Sequence, residues 1–362
     1  MATAAPHGKP GLSGPAKIGQ VSRARRGVPV ELDDFTDETK SLWPRLARAA
    51  NLADRPVTFN PLHAIADARA LRVVLAVDAG GRRLILKREG LQSGAHNDHF
   101  ARSVFGQRAA HLRMAGNLQG LRVPAVLAFL PEEGAVLMER LGGASAATLI
   151  ETAPDHESAR AALAACGQWL GEFHRSSRGG RRPYQTRFVM DHFRAQSAAV
   201  ADGRLSVAEP ELYLKLTRAI EAMAGTFDGL PAQHAGRHGD YNLRNVLIDG
   251  SHTGAIDFGP DQTAPVGHDI ARLLVDYVTI FGEHARIPPG QALKRKDLMT
   301  VLNAHDFAGP DDASVGFLVN TQLLAEWTKI PAQEEKRSLM QILRLRGLTE
   351  TALRLFPALR AT

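Results

Sequence analysis

Three polar side chains in one part of the sequence have the types that bind a magnesium ion. Asp240 and Asn245 belong to a single run of residues, and Asp257 follows it closely. Carboxylate and amide oxygens are hard ligands, and so small a set leaves room for water and phosphate oxygens, which suits Mg²⁺ better than zinc. The sequence therefore predicts a magnesium site that can also receive a phosphate group.

A predicted hairpin is the element that must position these side chains. Residues 246–248 predict one short strand, residues 254–256 predict its partner, and residues 250–253 supply the turn. Folding such a hairpin about its middle would set Val246 roughly opposite Asp257. The amide and the second carboxylate would then lie side by side at the open end of the hairpin, with the first carboxylate on the loop that leads into it.

The run 238–249, together with residues 257–259, resembles the catalytic core of the aminoglycoside phosphotransferase family, also called the choline kinase-like group, within the protein kinase-like superfamily. Its H-x-D-x-x-x-x-N loop and D-F-G step match the kinase pattern. Gly239 and Tyr241 favour the small-molecule kinases over the protein kinases. The resemblance implies an α+β, protein kinase-like fold of two lobes, with a small β-rich N-lobe and a larger helical C-lobe.

Three further segments match the family in the expected order, so that the resemblance spans about residues 60–275. Residues 84–87 resemble the third strand with its phosphate-binding lysine. Residues 137–143 resemble the hinge against which adenine docks, and residues 267–273 resemble the closing segment of the site.

The resemblance implies a role for each matching residue. Asp240 would act as the base, or would orient the acceptor hydroxyl, while Asn245 and Asp257 would hold Mg²⁺ on the nucleotide phosphates. Lys87 would neutralise phosphate charge, although a strand with the pattern Arg-Arg-x-x-x-Lys is often only a solvated edge. The remaining expected nucleotide-binding residues are Met138, Glu139 and Leu141.

Three other side chains are expected to support the loop. His238 is predicted to pack beneath it, with no metal role because no Cys or second His lies at ligand spacing. Asp269 is predicted to accept hydrogen bonds from the backbone of the loop and to cap a helix that begins at Ile270. Arg244 would meet a phosphate or an anionic substrate, or would pair with a surface acid, and the sequence favours neither alternative.

The sequence departs from the family pattern at two places. Residues 67–71, which join the first two strands, contain no glycine. Gln107 occupies the place where a glutamate would pair with Lys87; it could still accept a hydrogen bond from the ammonium group, without the charge that strengthens such bonds. These departures motivate a second hypothesis, that the protein is a catalytically weak kinase-like module with a nucleotide-binding or regulatory role.

The formal net charge of +6 is concentrated at one end of the 362-residue chain. Residues 1–30 carry five Lys and Arg residues and no acid, so they account for +5 and leave the rest near +1. This basic arm is rich in Gly, Pro and Ala and is expected to be disordered. Without aromatic interleaving or a recognisable fold, it does not favour a nucleic-acid partner.

Other features exclude further classes of protein. The single cysteine, Cys166, excludes an intrachain disulfide and fits a reducing compartment. No stretch approaches 18 consecutive apolar residues, and the arm has no apolar signal core, so we expect a cytoplasmic protein without a membrane partner. Motifs of dinucleotide-binding proteins, P-loop enzymes, zinc proteases and serine hydrolases are absent.

The predicted organisation is a disordered basic arm over residues 1–30, an N-lobe with the nucleotide-binding sheet and helix over 31–142, and a helical C-lobe with the catalytic loop and acceptor site over 143–362. The spacing of apolar residues predicts helices over residues 39–50, 98–114, 159–174, 211–223, 270–281, 315–329 and 334–355. The predicted activity is transfer of the γ-phosphate of ATP, or of another nucleoside triphosphate, with Mg²⁺ as cofactor. The predicted acceptor is a hydroxyl group of a small molecule that resembles an aminoglycoside, a sugar or an amino alcohol.

Overall fold

The structure is a computed structural model that describes residues 32–67, 70–91, 97–116 and 120–360. The predicted disordered arm lies outside the described residues. The described part of the chain has a β-sheet lobe at its N-terminal side and a larger helical part after it, which confirms the predicted α+β class.

The secondary-structure elements follow one another in a mixed order. The strands are β1 Val57–Ala66, β2 Ala70–Ala79, β3 Arg82–Leu91, β4 Leu121–Arg122, β5 Val126–Leu130, β6 Ala135–Glu139, β7 Ala144–Ser145, β8 Arg181–Pro183, β9 Pro231–Gly236, β10 Val246–Asp249, β11 His252–Ala255 and β12 Thr263–Pro265. The helices are α1 Leu32–Ser41, α2 Trp43–Ala49, α3 Asp98–Met114, α4 Ala146–Glu151, α5 His156–Ser176, α6 Arg187–Ala201, α7 Pro210–Ala224, α8 Gly267–Phe281, α9 Arg295–Leu302, α10 Ala313–Trp327 and α11 Leu339–Leu355.

The N-terminal sheet is antiparallel, with the strand order β1-β2-β3-β6-β5. Because side chains alternate along a strand, its two faces have different partners. Leu84 and Leu86 belong to a buried cluster with Trp43 of α2 on one face. Ile85 points to the other face, where it packs with Phe100 of α3. Lys87 therefore projects from β3 on the side of α3 and the cleft between the lobes.

The helical part is built around an aromatic cluster that supports the loop between β9 and β10. Trp169 of α5 stacks on Phe173 at 5.2 Å and on Tyr241 at 5.4 Å between ring centroids. The hydroxyl group of Tyr241 donates to the carbonyl oxygen of Cys166 at 2.8 Å. Cys166 is fully buried, and burial raises the pKa of its thiol. These contacts form the packed surface beneath residues 237–245, the polar loop between β9 and β10.

Several predicted helices have different limits in the structure. The sequence predicts a single helix over residues 39–50, but α1 ends at Ser41 and α2 begins at Trp43. The helix is interrupted because Pro44 has no backbone N–H group to donate to a carbonyl oxygen of the preceding turn. A helix over residues 334–355 was expected, but α11 begins only after Ser338, whose side chain forms a capping box with Gln341.

Three helices were not predicted. Helices α4 and α9 are only 6 and 8 residues long, too short for a clear apolar period. Helix α6 is longer, but it buries only Met190, Phe193 and Val200, which makes its apolar stripe sparse. No helix among the described residues has the length and the apolar character needed to cross a membrane.

A close contact between two helices fixes the position of α8, which lies next to the polar loop. Gly347 of α11 packs directly on the backbone of Thr279 in α8. A β-carbon added at residue 347 would lie 1.8 Å from the carbonyl oxygen of Thr279. The two helices can therefore approach this closely only while residue 347 has no side chain.

We expect Gly347→Ala to lower the free energy of unfolding by about 1–3 kcal/mol, because the helices must separate. Chemical denaturation of both the variant and the matched variant Gly225→Ala measures this effect. Gly225 has an ordinary helical φ of −60° and nothing within 4 Å of an added β-carbon. Equal stability of the two variants would contradict the close packing of α8 and α11.

Candidate active site

The hairpin forms, but its register differs from the prediction. Val246 pairs with Ala255, and Asp249 pairs with His252, so the turn has two residues rather than four. The predicted pairing of Val246 with Asp257 is therefore wrong. Because the strands continue as far as the tight turn, Asp257 lies beyond the end of β11. The open end is closed instead by Ile256, whose backbone nitrogen donates to the carbonyl oxygen of residue 245 at 2.9 Å.

Asp257 lies in an unusual backbone conformation beside the lysine of β3. Its φ is +63°, a left-handed value that side chains other than glycine rarely adopt. Its Oδ1 accepts a hydrogen bond from Nζ of Lys87 at 2.7 Å. Burial raises the pKa of this carboxyl group, but the ammonium of Lys87 outweighs that effect and lowers it. The carboxylate is thus ionised and directed towards the cleft.

Asp240 and Asn245 contact each other directly. Nδ2 of Asn245 donates to the backbone carbonyl of Asp240 at 2.9 Å and to its side-chain Oδ2 at 3.2 Å. The other carboxylate oxygen, Oδ1, accepts from Arg272 of α8, with Nη2 at 2.9 Å and Nε at 3.1 Å. Two partners therefore hold the carboxylate of Asp240. Because its side chain is half exposed, the carboxylate also reaches the solvent of the cleft.

One face of α8 holds the loop at three points. Asp269, Arg272 and Asp276 lie at positions i, i+3 and i+7, which share a face of the helix. Asp269 accepts from the backbone nitrogen of His238 at 2.8 Å and from that of Gly239 at 3.0 Å. Asp276 accepts from the backbone nitrogen of residue 243 at 3.1 Å. The loop is therefore held by buried carboxylates at both ends and by the guanidinium in the middle.

Asp269 does not cap α8 as expected. Helix α8 begins at Gly267, so Asp269 lies inside its first turn, and its carboxylate points to the loop instead. Gly239, which donates to it, has a φ of +94°, a conformation that favours glycine. The tight bend before Asp240 thus depends on the glycine that distinguishes this loop from that of the protein kinases.

Histidines surround Asp269 and keep it ionised. Nε2 of His174 lies 3.2 Å from its Oδ2, and the second nitrogen of His174 lies 3.3 Å from His305. Burial raises the pKa of Asp269, but its hydrogen bond to His174 and the nearby charge outweigh burial and lower the pKa to about 2. His174 is not predictable as a site residue from the sequence, because nothing in the spacing of α5 relates residue 174 to residue 269.

His238 is completely buried beneath the loop. Its ring packs on that of Phe258 at 4.2 Å between centroids, and burial lowers its pKa, which favours the neutral form. Its Nε2 has no hydrogen-bond partner among the described residues. Arg244 is exposed at the surface of the loop, and no ion pair involves its side chain within the described part of the chain. Neither alternative for Arg244 is tested by this geometry.

Gln107 does not replace the missing glutamate. Its Nε2 donates to the carbonyl oxygen of Pro124 at 3.1 Å and contacts the sulfur of Met138 at 3.5 Å. A hydrogen bond between Gln107 and Lys87, which the sequence left open, is absent from the hydrogen bonds of the described residues, and the ammonium pairs with Asp257 instead. The carboxylate that positions Lys87 is thus the predicted metal ligand itself.

The hinge residues point in different directions. Met138 lines the cleft below β3. The side chain of Glu139 is turned towards β5, where it accepts from the backbone nitrogen of Ala125 at 3.2 Å. The side chain of Leu141 packs against Gly254 of the hairpin, leaving no space for a β-carbon there. Met138 is therefore the member of this set whose side chain faces the cavity.

A cavity of about 650 Å³ joins these elements. Lys87, Asp240 and Asp257 all line it, so the structure brings these three predicted residues to one space. The cavity is also lined by basic residues that the sequence analysis missed, namely Arg72, Arg102 and Arg237. Arg72 alternates with buried residues along β2, and that alternation would have identified it as a cleft residue.

We expect Gln107→Glu to lower the free energy of unfolding by about 1–3 kcal/mol, because a buried carboxylate would face the carbonyl oxygen of Pro124 without a proton to donate. Thermal and chemical denaturation measure the loss. The same change at the exposed Gln185 is the control and should be nearly neutral. A stabilised Gln107→Glu protein would show that this side chain does reach Lys87.

We expect Asp269→Asn to lower the free energy of unfolding at neutral pH by on the order of 2 kcal/mol, because the buried carboxylate loses its charged hydrogen bonds. A lowered pKa stabilises the fold above the unfolded value of 3.8 and loses this effect as the pH falls towards about 2. Denaturation of both proteins across this range should show the difference shrinking, and a constant difference would contradict the assignment.

Solved structures with the same architecture exist. The chain is similar to a choline/ethanolamine kinase family protein from Mesorhizobium loti, with 18% identity and a TM-score of 0.55 over 90% of this chain and 94% of that chain. A putative fructosamine-3-kinase from Thermobifida fusca has 18% identity and a TM-score of 0.50, covering 86% of this chain and 98% of its own. A glucosamine kinase has 14% identity and a TM-score of 0.50, covering 87% and 81%.

At such low identities these likenesses establish the fold, and they confirm the protein kinase-like, two-lobed architecture predicted from the sequence. No curated protein matches the sequence. A family model described as the phosphotransferase enzyme family matches residues 61–305, which is more than half of the chain. The chain therefore belongs to this phosphotransferase family, the one that its loop and D-F-G motifs resemble.

Proposed function

We propose that the protein transfers the γ-phosphate of ATP, or of another nucleoside triphosphate, to a hydroxyl group of a small molecule, with Mg²⁺ as cofactor. The observation that carries this proposal is that Lys87, Asp240 and Asp257 line one cavity. In the transfer, the acceptor oxygen forms a bond to the γ-phosphorus, and the bond to the β,γ-bridging oxygen breaks. The nucleoside diphosphate leaves, and the hydroxyl proton passes to Asp240 or to water.

Asp257, which lines the cavity, and Asn245, which contacts the lining residue Asp240, fit a magnesium ion. Oδ2 of Asp257 receives no hydrogen bond from the described residues, because Lys87 engages only Oδ1. The amide nitrogen of Asn245 donates to Asp240, which leaves its Oδ1 free to act as a ligand. No three His, Cys, Asp or Glu side chains cluster as metal ligands in the described ranges, so a metal here would rely on this small oxygen set and on phosphate oxygens. When bound, Mg²⁺ would neutralise charge on the phosphates.

The remaining residues receive roles from their positions. Lys87 would bind the α- and β-phosphates, and Asp257 would help to hold the metal ion. Asp240 would orient the acceptor hydroxyl through Oδ2, since Oδ1 is engaged by Arg272. Met138 would bound the nucleotide site at the hinge, and Arg72 and Arg237 add positive charge to the wall of the cavity.

The similar structures are named for acceptors of one general class. Choline or ethanolamine, a fructosamine and glucosamine are all small molecules that carry a hydroxyl group, and the proteins named for them share this fold. We propose an acceptor of that general kind for this chain, an amino alcohol, an amino sugar or an aminoglycoside. The loop without glycine and the glutamine at residue 107, which binds Pro124 in place of Lys87, motivate the second hypothesis, a nucleotide-binding or regulatory module with weak catalysis.

We expect Asp240→Asn to lower kcat by about 10²–10⁴-fold while nucleotide affinity stays close to that of the wild type, because the carboxylate acts on the acceptor. Turnover of Mg-ATP with choline, ethanolamine, glucosamine and kanamycin, followed by mass spectrometry of the products, measures the rate. Calorimetry with the nucleotide measures the affinity.

The surface variant Asp202→Asn is the matched control, because Asp202 is exposed and pairs only with Arg204. Equal rates for the wild type and Asp240→Asn would remove the role given to this residue. Nucleotide binding without turnover on any acceptor would favour the binding module over the enzyme.

A further inference from the structure

Arg272 contacts the proposed catalytic carboxylate, and the proposed function gives it no role of its own beyond occupying one oxygen of Asp240. We infer that Arg272 is a positioning residue that fixes the orientation of Asp240, so that one carboxylate oxygen is always presented to the acceptor hydroxyl. This inference rests on the proposed function and adds to it a second residue on which the chemical step depends.

The contact between the two side chains is specific. Nε and Nη2 of Arg272 both donate to the same oxygen, Oδ1 of Asp240, at 3.1 and 2.9 Å. Among the described residues, the second oxygen, Oδ2, accepts only from Asn245, at 3.2 Å. A carboxylate has about four lone-pair sites, so two donors on Oδ1 leave Oδ2 as the oxygen with capacity for a further hydroxyl proton. The pair thereby makes the two oxygens of Asp240 different.

Arg272 is itself held from behind by a buried acid. Its third nitrogen, Nη1, forms an ion pair with Glu326 of α10, whose side chain is only 3% exposed. Glu326 also accepts from Arg344 of α11 at 3.0 Å and from Lys329 at 2.9 Å. A planar guanidinium with fixed partners on both sides has little freedom to rotate. Helices α8, α10 and α11 together therefore determine where Arg272 places Asp240.

The charges in this network balance. Arg272, Arg344 and Lys329 supply three positive charges, and the carboxylates of Glu326, Asp276 and Asp240 supply three negative ones. Within this network only Arg272 touches Asp240. Arg344 instead pairs with Asp276 and Glu326, and among the described residues Lys329 forms an ion pair with Glu326 and none with Asp240. The contact with Asp240 is thus separable by mutation from the general task of neutralising Glu326.

The first experiment compares Arg272→Gln and Arg272→Lys with the matched variant Lys329→Gln. Lys329 binds the same carboxylate of Glu326, but its side chain is 54% exposed, and within the described part of the chain no hydrogen bond or ion pair joins it to Asp240. We expect kcat of Arg272→Gln to fall by about 100-fold, because small displacements of a reacting group are costly. Arg272→Lys should recover part of the loss, KM for Mg-ATP should stay close to the wild-type value, and Lys329→Gln should keep wild-type kcat.

The second experiment tests positioning without relying on the folding of a single variant. Guanidinium ion at millimolar concentration is added to Arg272→Ala and to Asp240→Asn, with thermal unfolding followed in parallel. We expect guanidinium to restore part of kcat in Arg272→Ala and none in Asp240→Asn, because only the first variant has an intact carboxylate to be held. A role confined to stability would change the unfolding temperature and leave rescue absent.

The outcomes separate this inference from the proposed function. Robust wild-type turnover together with unchanged kcat in Arg272→Gln would overturn the inference and leave the phosphotransferase intact. Equal losses of kcat in Arg272→Gln and Lys329→Gln, or a loss that follows only the unfolding temperature, would also overturn it. A wild-type protein that transfers phosphate to no acceptor and does not hydrolyse Mg-ATP would overturn both.

Discussion

The buried carboxylate of Asp269 is the interaction on which the rest of the site depends. A loop that presents polar groups to solvent must leave its own backbone N–H groups pointing inwards, and these are costly to bury without partners. Asp269 accepts from two of them, at His238 and Gly239, and its hydrogen bond to His174 favours the ionised form of the Asp269 carboxyl group. Without this acceptor, the bend before Asp240 would bury two backbone N–H groups without partners, which is energetically unfavourable whatever the sequence of the loop.

Helix α8 converts that single interaction into a defined geometry. Because Asp269, Arg272 and Asp276 share one face, the distance between the points at which they hold the loop is set by the rise of the helix and not by the loop. Gly347 allows α11 to lie directly on α8, so Arg344 can reach Asp276 and Glu326. The orientation of Asp240 is thus fixed by the packing of three helices that are distant from it in sequence.

This division explains what could be predicted from the sequence. Local patterns were sufficient for the two-lobed class, for helix α3 at Asp98–Met114, and for the presence of the hairpin. The register of the hairpin was not predictable, because a two-residue and a four-residue turn fit the same Gly-Ser-His-Thr residues and differ only in tertiary context. The partners Arg272 and His174 were missed since their meaning depends on contacts between elements far apart in the chain.

The arrangement of Lys87 shows a different coupling from the one that the motif implies. A glutamate on α3 would tie that helix to β3 by charge, but here Gln107 faces Pro124. Helix α3 is instead placed by contact, since a β-carbon at Gly106 would lie 2.2 Å from the carbonyl oxygen of Gly259. The segment after Asp257 therefore positions α3 by its backbone and Lys87 by its carboxylate. In this chain the segment at and after Asp257, and not α3, is therefore the element that sets the position of Lys87 in the cleft.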